Sequence, residues 1–313
     1  MIKMKEKLSI QDEVVSAYEY AKNWMGQGDL PNFIPELTHV NPNRLAVSVT
    51  DSDGNIYSAG NIKDRFTIQS ISKAIALALA IEDNGLDEVL THVDIEPCGD
   101  RFNSIYRLEL MQKRPSNPFL NAGAIAVCSC IQGHDVEEKY ERLHALAGKL
   151  LGNPKIEYSK TVCLCEIKTG HRNRALANML LDNGICSGNP EEHLELYYRG
   201  CALLVTAQEL SRFGAILACD GVDPCTGDEI LPCSTCELIR ALMAGCGLYD
   251  RTGFFNITVG IPAKSGSSGA IVGASKGRAG IGVFSPRIDG KGNSVCGIQA
   301  MKQLSHRLNL RSL

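Results

Sequence analysis

Residues 66–85 read FTIQSISKAIALALAIEDNG, and this stretch decides the fold. The run from Ser70 to Asp83 is rich in Ala and Leu, which favour helix, and Asn84-Gly85 is a typical helix end. The first turn of this predicted helix contains Ser70-Ile71-Ser72-Lys73, an S-x-x-K tetrad. Because residues three apart lie on one face of a helix, the serine and lysine side chains are expected within reach of each other. The spacing suits a nucleophilic serine with a lysine base.

The tetrad is weak evidence by itself, because about one S-x-x-K match is expected by chance in a chain of this length. A capping serine followed by a solvated lysine fits it equally well. A second motif, Lys264-Ser265-Gly266, changes the balance. It resembles the K-T-G element of penicillin-binding proteins and serine β-lactamases, which lies on the inner C-terminal strand. The order and positions of the two motifs therefore predict that fold, which belongs to the α+β class.

The N-terminal part of the chain predicts a helix followed by a hairpin. Apolar residues recur at helical spacing from Gln11 to Met25, and Gly26-Gln27-Gly28 then ends the pattern. Residues 44–50 and 55–60 have the character of strands, and the Asp-Gly pair between them suits a tight turn.

The remainder is mostly helical between residues 89 and 243, with the clearest patterns at 136–151, 173–181 and 206–217. Two strands at 270–275 and 279–285 and a helix at 294–308 close the chain. One antiparallel sheet, flanked by the terminal helices and interrupted by an inserted all-helical lobe, satisfies these strands most simply. We expect a single domain over 1–313, with a sheet lobe at about 1–69 plus 255–313 and a helical lobe at about 70–254.

Composition and charge exclude several kinds of partner. The 313 residues are 44% hydrophobic and carry a formal net charge of -3, with no basic stripe for nucleic acid. The longest apolar run, Ala74 to Ile81, falls far short of the ~18 residues that span a membrane. The start MIKMKEKLSI lacks the apolar stretch and cleavage site of a secretion signal. We therefore expect a cytoplasmic protein with no nucleic-acid or membrane partner.

The 13 cysteines are better explained as reduced thiols than as a disulfide framework, since no export signal is recognisable. Cys233 and Cys236 have the C-x-x-C spacing of a zinc site, but no second pair follows. The pairs Cys128/Cys130 and Cys163/Cys165 are spaced by two, as in strands. We expect no metal, and most of these cysteines to act as small core residues.

Seven stretches taken together resemble the serine-dependent glutaminase family, and the resemblance extends from about Gly28 to Gly297. No single stretch is decisive, but their occurrence in the right order is highly specific. They are FTIQSISK (66–73), NPFLNAGAI (117–125), Glu166 with Asn173, Tyr197 with Cys201, GLYD (247–250), GIPAKSG (260–266) and GNSV (292–295).

The resemblance implies hydrolysis of L-glutamine to L-glutamate and ammonia through a glutamyl ester of Ser70, with Lys73 as its base. It implies that no cofactor is needed and that the protein is a homodimer or homotetramer. Tyr249 or Lys73 would protonate the leaving ammonia, and the backbone N–H groups of Ser70 and Ser267 would hold the oxyanion. The implied glutamine pocket is lined by Asn121, Glu166, Asn173, Tyr197 and Tyr249.

The chemistry of glutamine agrees with these residue types. Its ammonium group calls for an acid, for which Glu166 is the natural choice, although a solvated acid is the commoner use of such a residue. Asn121 and Asn173 suit the α-amino and α-carboxylate groups, but asparagine more often caps helices or forms turns. Tyr197 and Tyr249 fit a core position equally well, while the Gly-rich setting of Tyr249 favours a loop over a site.

Two positions depart from the family pattern. Phe33 stands where a tyrosine is usual, so a hydroxyl expected near the site is missing. Ser267 stands where a valine usually follows Lys-Ser-Gly. Because the expected contribution of this position is a backbone N–H, we expect the Ser267 side chain to matter little.

Two other functions remain open on sequence alone. A β-lactamase or transpeptidase on the same fold would also carry S-x-x-K and K-S-G, but such enzymes are exported. A catalytically weakened member that binds glutamine or acts as a scaffold would account for Phe33 and Ser267.

Overall fold

The computed structural model describes residues 9–99, 103–110 and 114–313. The N-terminal stretch 1–8, on which the predicted localisation partly depends, lies outside the described residues. The α-helices are α1 (Ile10–Lys22), α2 (Ser72–Asn84), α3 (Leu86–His92), α4 (Tyr106–Leu110), α5 (Asn121–Cys130), α6 (Val136–Leu151), α7 (Lys160–Thr169), α8 (His171–Asp182), α9 (Pro190–Cys201), α10 (Ala207–Ala218), α11 (Cys233–Cys246), α12 (Thr252–Thr258) and α13 (Val295–Arg307).

Strands from both ends of the chain form one antiparallel sheet in the order β2-β1-β7-β6-β5. The hairpin meets the C-terminal strands where Val47 lies opposite Val283. This confirms the α+β prediction of a sheet shared by the two ends. The strands are β1 (Ala46–Asp51), β2 (Ile56–Gly60), β3 (Phe66–Thr67), β4 (Leu204–Val205), β5 (Ala263–Gly266), β6 (Ala270–Ser275) and β7 (Ala279–Phe284).

Helices cover both faces of the sheet. Val47 and Val49 of β1 belong to the apolar cluster that α1 and α13 bury on one face. Their neighbours Ser48 and Thr50 point the other way and hydrogen-bond the hydroxyl of Ser211 on α10, at 3.0 and 2.8 Å. This alternation is the period of two that a strand imposes.

Helix α10 lies unusually close to the sheet. A Cβ on Gly280 of β7 would be 1.9 Å from the backbone nitrogen of Ala215 and 2.1 Å from the carbonyl oxygen of Ser211. Only glycine lets the backbone of a helix approach a strand to this distance. The contact joins the sheet firmly to the helical part of the chain.

Helix α2 forms the centre of the helical part. Residues 72–80 are all buried, and their Ala and Leu side chains contact the largest apolar cluster. Gly85, with φ of +79°, ends the helix as the sequence predicts. The helix is therefore held rigidly, and its first turn is a fixed platform for side chains.

Several details of the sequence prediction are wrong. The Lys264-Ser265-Gly266 motif lies on β5, which is an edge strand and not an inner strand, because β6 is its only pairing partner among the described residues. Cys128/Cys130 and Cys163/Cys165 lie on α5 and α7 and not on strands. Within a buried apolar segment, two cysteines spaced by two residues do not distinguish a strand from a helix.

Two boundaries also differ. Ser70 lies in a 3₁₀ turn, Gln69–Ile71, and the α-helix begins two residues later than predicted. Within the segment predicted to be all helical, β4 pairs with β3. The β3–β4 pairing joins chain segments far apart in sequence, so local periodicity gives no sign of it.

Candidate active site

A cleft of about 670 Å³ opens beside the 3₁₀ turn Gln69–Ile71. Residues from the helical part, from the 3₁₀ turn Tyr249–Arg251 and from the turn after β5 line it. The structure thus brings to one cleft every residue for which the resemblance implies substrate binding: Ser70, Asn121, Glu166, Asn173, Tyr197, Tyr249 and Ser267.

Ser70 is held between β3 and α2 by an uncommon backbone geometry. The preceding residue, Gln69, has a φ of +50°, in the left-handed region that non-glycine residues seldom adopt. Strand β5 runs close by, because a Cβ on Gly266 would lie 2.7 Å from the carbonyl oxygen of Ile68. The glycine of the K-S-G motif therefore lets β5 pack against the turn that carries Ser70.

Lys73 is buried one turn after Ser70. Its ammonium group donates to the carbonyl oxygen of Phe119 at 2.9 Å and to Asn121 Oδ1 at 2.8 Å. Desolvation lowers the pKa of Lys73 to about 8, so about a tenth of it is neutral at pH 7, far more than for an exposed lysine. A neutral lysine is what a base for serine requires.

Lys264, from the K-S-G motif, is a second buried lysine beside the cleft. Its ammonium group donates to the carbonyl oxygens of Gly247 at 3.1 Å and Ser265 at 2.6 Å, and lies 4.6 Å from the centre of the Tyr249 ring. Desolvation, followed by the charge of Lys73, lowers the pKa of Lys264 well below its usual value. The sequence identified the motif but assigned no role to this side chain.

Tyr249 joins the two motifs. Its hydroxyl donates to the carbonyl oxygen of Ser265 at 3.3 Å and is in hydrogen-bonding contact with the side chain of Ser70. Burial raises the pKa of Tyr249 to about 12, which keeps the phenol protonated and able to donate. The residue has a φ of +56°, another strained position beside the nucleophile.

A chain of hydrogen bonds fixes the amide side chains. Asn121 accepts from Lys73 and from the Tyr197 hydroxyl at 3.3 Å, and its Nδ2 donates to Asn173 Oδ1 at 3.0 Å. Asn173 in turn donates to the Tyr198 hydroxyl at 3.2 Å. Neither asparagine caps a helix here, since Leu120 and Gly170 occupy the N-cap positions. Tyr198, which the sequence did not single out, completes the chain.

Glu166 lines the cleft and has one carboxylate oxygen without a hydrogen-bond partner among the described residues. The residue is buried, and this oxygen is Oε2. Burial raises the pKa of Glu166 to about 8, against the opposing effects of a hydrogen bond from Gln69 and the charge of Lys73. A buried acceptor without a partner is costly, and a cationic ligand would satisfy it.

Phe33 and Ser267, which depart from the family pattern, both line the cleft. The Phe33 ring is half exposed at 50%. The Ser267 hydroxyl is buried and donates to Oε1 of Gln69 at 3.1 Å. The Ser267 side chain therefore makes a specific contact that was not expected from the sequence, and its small effect on activity stays a prediction.

The C-x-x-C pair lies away from this cleft, at the start of α11. Cys233 lies near Asp220 and Glu237, with ligand atoms within 4.8 Å of one another. Lys276 already pairs with both acids, at 3.6 and 3.2 Å, and Cys236 is turned into the core. This arrangement is a surface ion-pair cluster, and the expected absence of a metal stays a prediction. No helix within the described ranges is long and apolar enough to cross a membrane.

Comparisons with known proteins point to one family. The sequence model of a family described as Glutaminase matches residues 28–312. Glutaminase 2 of Clostridium perfringens is 45% identical over 296 residues, covering 94% of this chain and 97% of that protein. A solved structure of a probable glutaminase superposes with a TM-score of 0.92 at 36% identity, covering 96% of this chain and 97% of the other.

The glutamate form of a protein called Mglu superposes with a TM-score of 0.91 at 34% identity, covering 98% of this chain and 70% of that chain. These neighbours share the serine β-lactamase-like α+β architecture that the two lysine motifs predict, which confirms the fold class.

Proposed function

The chain belongs to the glutaminase family, and from this premise we propose that it hydrolyses L-glutamine to L-glutamate and ammonia through a glutamyl ester of Ser70. One observation carries the proposal: a serine and a buried carboxyl group with an unpaired oxygen line one cleft, and a buried lysine of lowered pKa lies one helical turn after the serine. Glutamine offers a cation for that oxygen together with an amide for the serine to attack.

Recognition of the substrate divides among three sets of groups. Glu166 binds the α-ammonium group, because it lines the cleft and its buried Oε2 lacks a partner among the described residues. Asn121 and Asn173, fixed by their mutual hydrogen bond, bind the amino and carboxylate groups with the Tyr197 hydroxyl. Two fixed amides and a phenol suit a zwitterion because they donate and accept hydrogen bonds without adding charge.

The chemical step begins when neutral Lys73 takes the proton of Ser70, whose oxygen attacks the side-chain carbonyl carbon. The backbone N–H groups of Ser70 and Ser267 hold the oxyanion of the tetrahedral intermediate. The C–N bond then breaks, and the proton returns to the leaving nitrogen from Lys73 directly, or from the Tyr249 hydroxyl, which the protonated Lys73 then reprotonates. Water repeats the sequence on the ester and releases glutamate, so every proton taken is returned.

Lys264 is a second buried amine beside the reacting groups. It lies 4.6 Å from the centre of the Tyr249 ring, and desolvation, followed by the charge of Lys73, holds its pKa well below the usual value. The lowered pKa of Lys73 itself comes from desolvation.

The most direct test of the activity is ammonium release from L-glutamine by the purified wild-type protein. L-asparagine and a chromogenic β-lactam run in parallel separate the alternatives. We expect release from glutamine with little from asparagine, whose shorter side chain places its amide about one methylene away from Ser70. Turnover of the β-lactam in place of glutamine would refute the proposal and leave only the fold. Binding of glutamine without turnover would instead support the weakened-member interpretation.

The pH dependence of kcat/KM should rise toward alkaline pH and level off above about 8. Lys73 must be neutral to act as a base, and its lowered pKa of about 8 sets the point at which it loses its proton. Below this point kcat/KM falls about tenfold per pH unit, and more steeply if Glu166, with its pKa raised to about 8, must also be ionised. A profile that stays flat across this range, or that rises toward acid, would contradict the role of Lys73.

We further propose that the protein acts as a homodimer or homotetramer in the cytoplasm. The thirteen cysteines all carry free thiols, which suits a reducing compartment. Sedimentation velocity measures the oligomeric state, and a concentration-independent monomer would exclude the assembly.

A further inference from the structure

The side chain of Gln69 connects Ser267, in the turn after β5, with Glu166 in the cleft. The Ser267 hydroxyl donates to Gln69 Oε1 at 3.1 Å, and Gln69 Nε2 donates to the Thr67 hydroxyl at 3.2 Å. The Gln69 side chain also hydrogen-bonds Glu166 and favours the ionised carboxylate. Only the amide nitrogen of glutamine can donate, so Nε2 faces Glu166 while Oε1 faces Ser267.

A carboxylate only accepts hydrogen bonds, whereas the Ser267 and Thr67 hydroxyls can donate or accept, so Glu166 itself sets the orientation of the amide. The two hydroxyls hold the Gln69 side chain in place. A Gln69 side chain that loses the Ser267 contact is free to turn, and a turn of the amide by about 180° would place Oε1 against the carboxylate of Glu166. Two acceptors would then face each other in a desolvated site, and the carboxyl would favour its protonated form. A protonated Glu166 no longer attracts an ammonium group.

Other groups around Glu166 do not replace this donor. Lys73 acts on the carboxyl through its charge, but its observed hydrogen bonds go to Phe119 and Asn121. The remaining titratable neighbours are groups that burial keeps neutral: Cys163 on α7 and Tyr197, Tyr198 and Cys201 on α9.

We propose that the Ser267 hydroxyl is a positioning group for substrate recognition: its hydrogen bond to Gln69 Oε1 holds that side chain beside Glu166, where the amide nitrogen can donate to the carboxylate that receives the α-ammonium group. This inference rests on the proposed function, and it assigns a role to the side chain at a position where only the backbone N–H was expected to act.

The test compares Ser267→Ala with a matched control one residue away. Ser268 is also buried, and its hydroxyl has no hydrogen-bond partner within the described part of the chain, so Ser268→Ala removes the same atom without a contact. Ser267→Thr restores a hydroxyl and serves as the conservative rescue. Each variant is assayed with L-glutamine and with glutaramate, the analogue that lacks only the α-amino group.

For Ser267→Ala we expect KM for glutamine to rise by roughly three- to tenfold, the loss of one buried hydrogen bond. Ser268→Ala should keep the wild-type KM, and Ser267→Thr should recover most of it. On glutaramate, Ser267→Ala and the wild type should differ by less than about twofold, because no ammonium group depends on Glu166.

Two results would overturn the inference. One is an unchanged KM for glutamine in Ser267→Ala, and the other is an equal loss on both substrates, which would indicate general damage to the site. Either result in a wild-type protein that hydrolyses glutamine leaves the proposed function intact. A wild-type protein inactive on glutamine would refute the proposed function itself.

Discussion

Replacement of Ser70 by alanine is expected to lower kcat on glutamine by about 10⁴- to 10⁶-fold. Without the hydroxyl no glutamyl ester can form, and the remaining groups can only orient the substrate for slow attack by water. The substrate contacts that the proposal assigns to Glu166, Asn121 and Asn173 stay in place. Glutamine should therefore still bind, which calorimetry measures independently of turnover.

The fold of the Ser70→Ala variant should be intact, because Ser70 is a small residue at the cleft surface of the 3₁₀ turn. An unchanged thermal unfolding midpoint is the control for this point. Retention of more than about one hundredth of the wild-type kcat would mean that another group is the nucleophile.

Glu166→Gln is expected to lower kcat/KM on glutamine by at least about a hundredfold. A buried cation that loses its charged partner is destabilised by about 3 kcal/mol or more, and each 1.36 kcal/mol is about tenfold in rate. The loss should disappear on glutaramate, which brings no ammonium group into the cleft. Initial rates on both substrates measure the two values.

Glu157→Gln is the matched control for this change. Its carboxylate is 77% exposed outside the cleft, so removal of the charge there should leave both substrates unaffected. If Glu166→Gln lowers kcat/KM equally on glutamine and on glutaramate, Glu166 supports the site as a whole and does not bind the ammonium group specifically.

Much of the fold is predictable because it rests on local patterns. The hairpin at 44–60, the strands at 270–285 and the helix after Ser70 each follow from periodicity and turn residues, and the structure has them within a few residues. The end of α1 at Lys22 is the largest shift in a helix boundary near the termini, since Trp24 and Met25 continue the apolar pattern but pack beyond the helix.

The site is predictable only in part. Ser70, Lys73 and Glu166 belong to recognisable motifs, whereas Gln69 and Tyr198 do not. The role of Gln69 depends on a left-handed φ and on contacts with Thr67 and Ser267, and these contacts arise only when β5 packs against the 3₁₀ turn. No local sequence pattern predicts a contact between residues as far apart in the chain as Gln69 and Ser267.

The burial of the two lysines is a further property that sequence conceals. Lys73 and Lys264 carry charges that favour the surface, yet both lie in the interior beside the cleft. Their lowered pKa values follow from desolvation, which depends on the packing of α2, α5 and β5 together. The S-x-x-K and K-S-G patterns locate the two lysines in the sequence, but they do not show that the side chains are buried.

The central claim is that Ser70 carries the glutamyl group during turnover, and mass spectrometry of the acid-quenched protein tests it most directly. After rapid mixing with glutamine and quenching during turnover, the proteolytic peptide that contains Ser70 should gain the mass of one glutamyl group. The same peptide from Ser70→Ala should gain nothing. A glutamyl group on another residue, or ammonium release by the wild type with Ser70 unmodified at every quench time, would contradict the account.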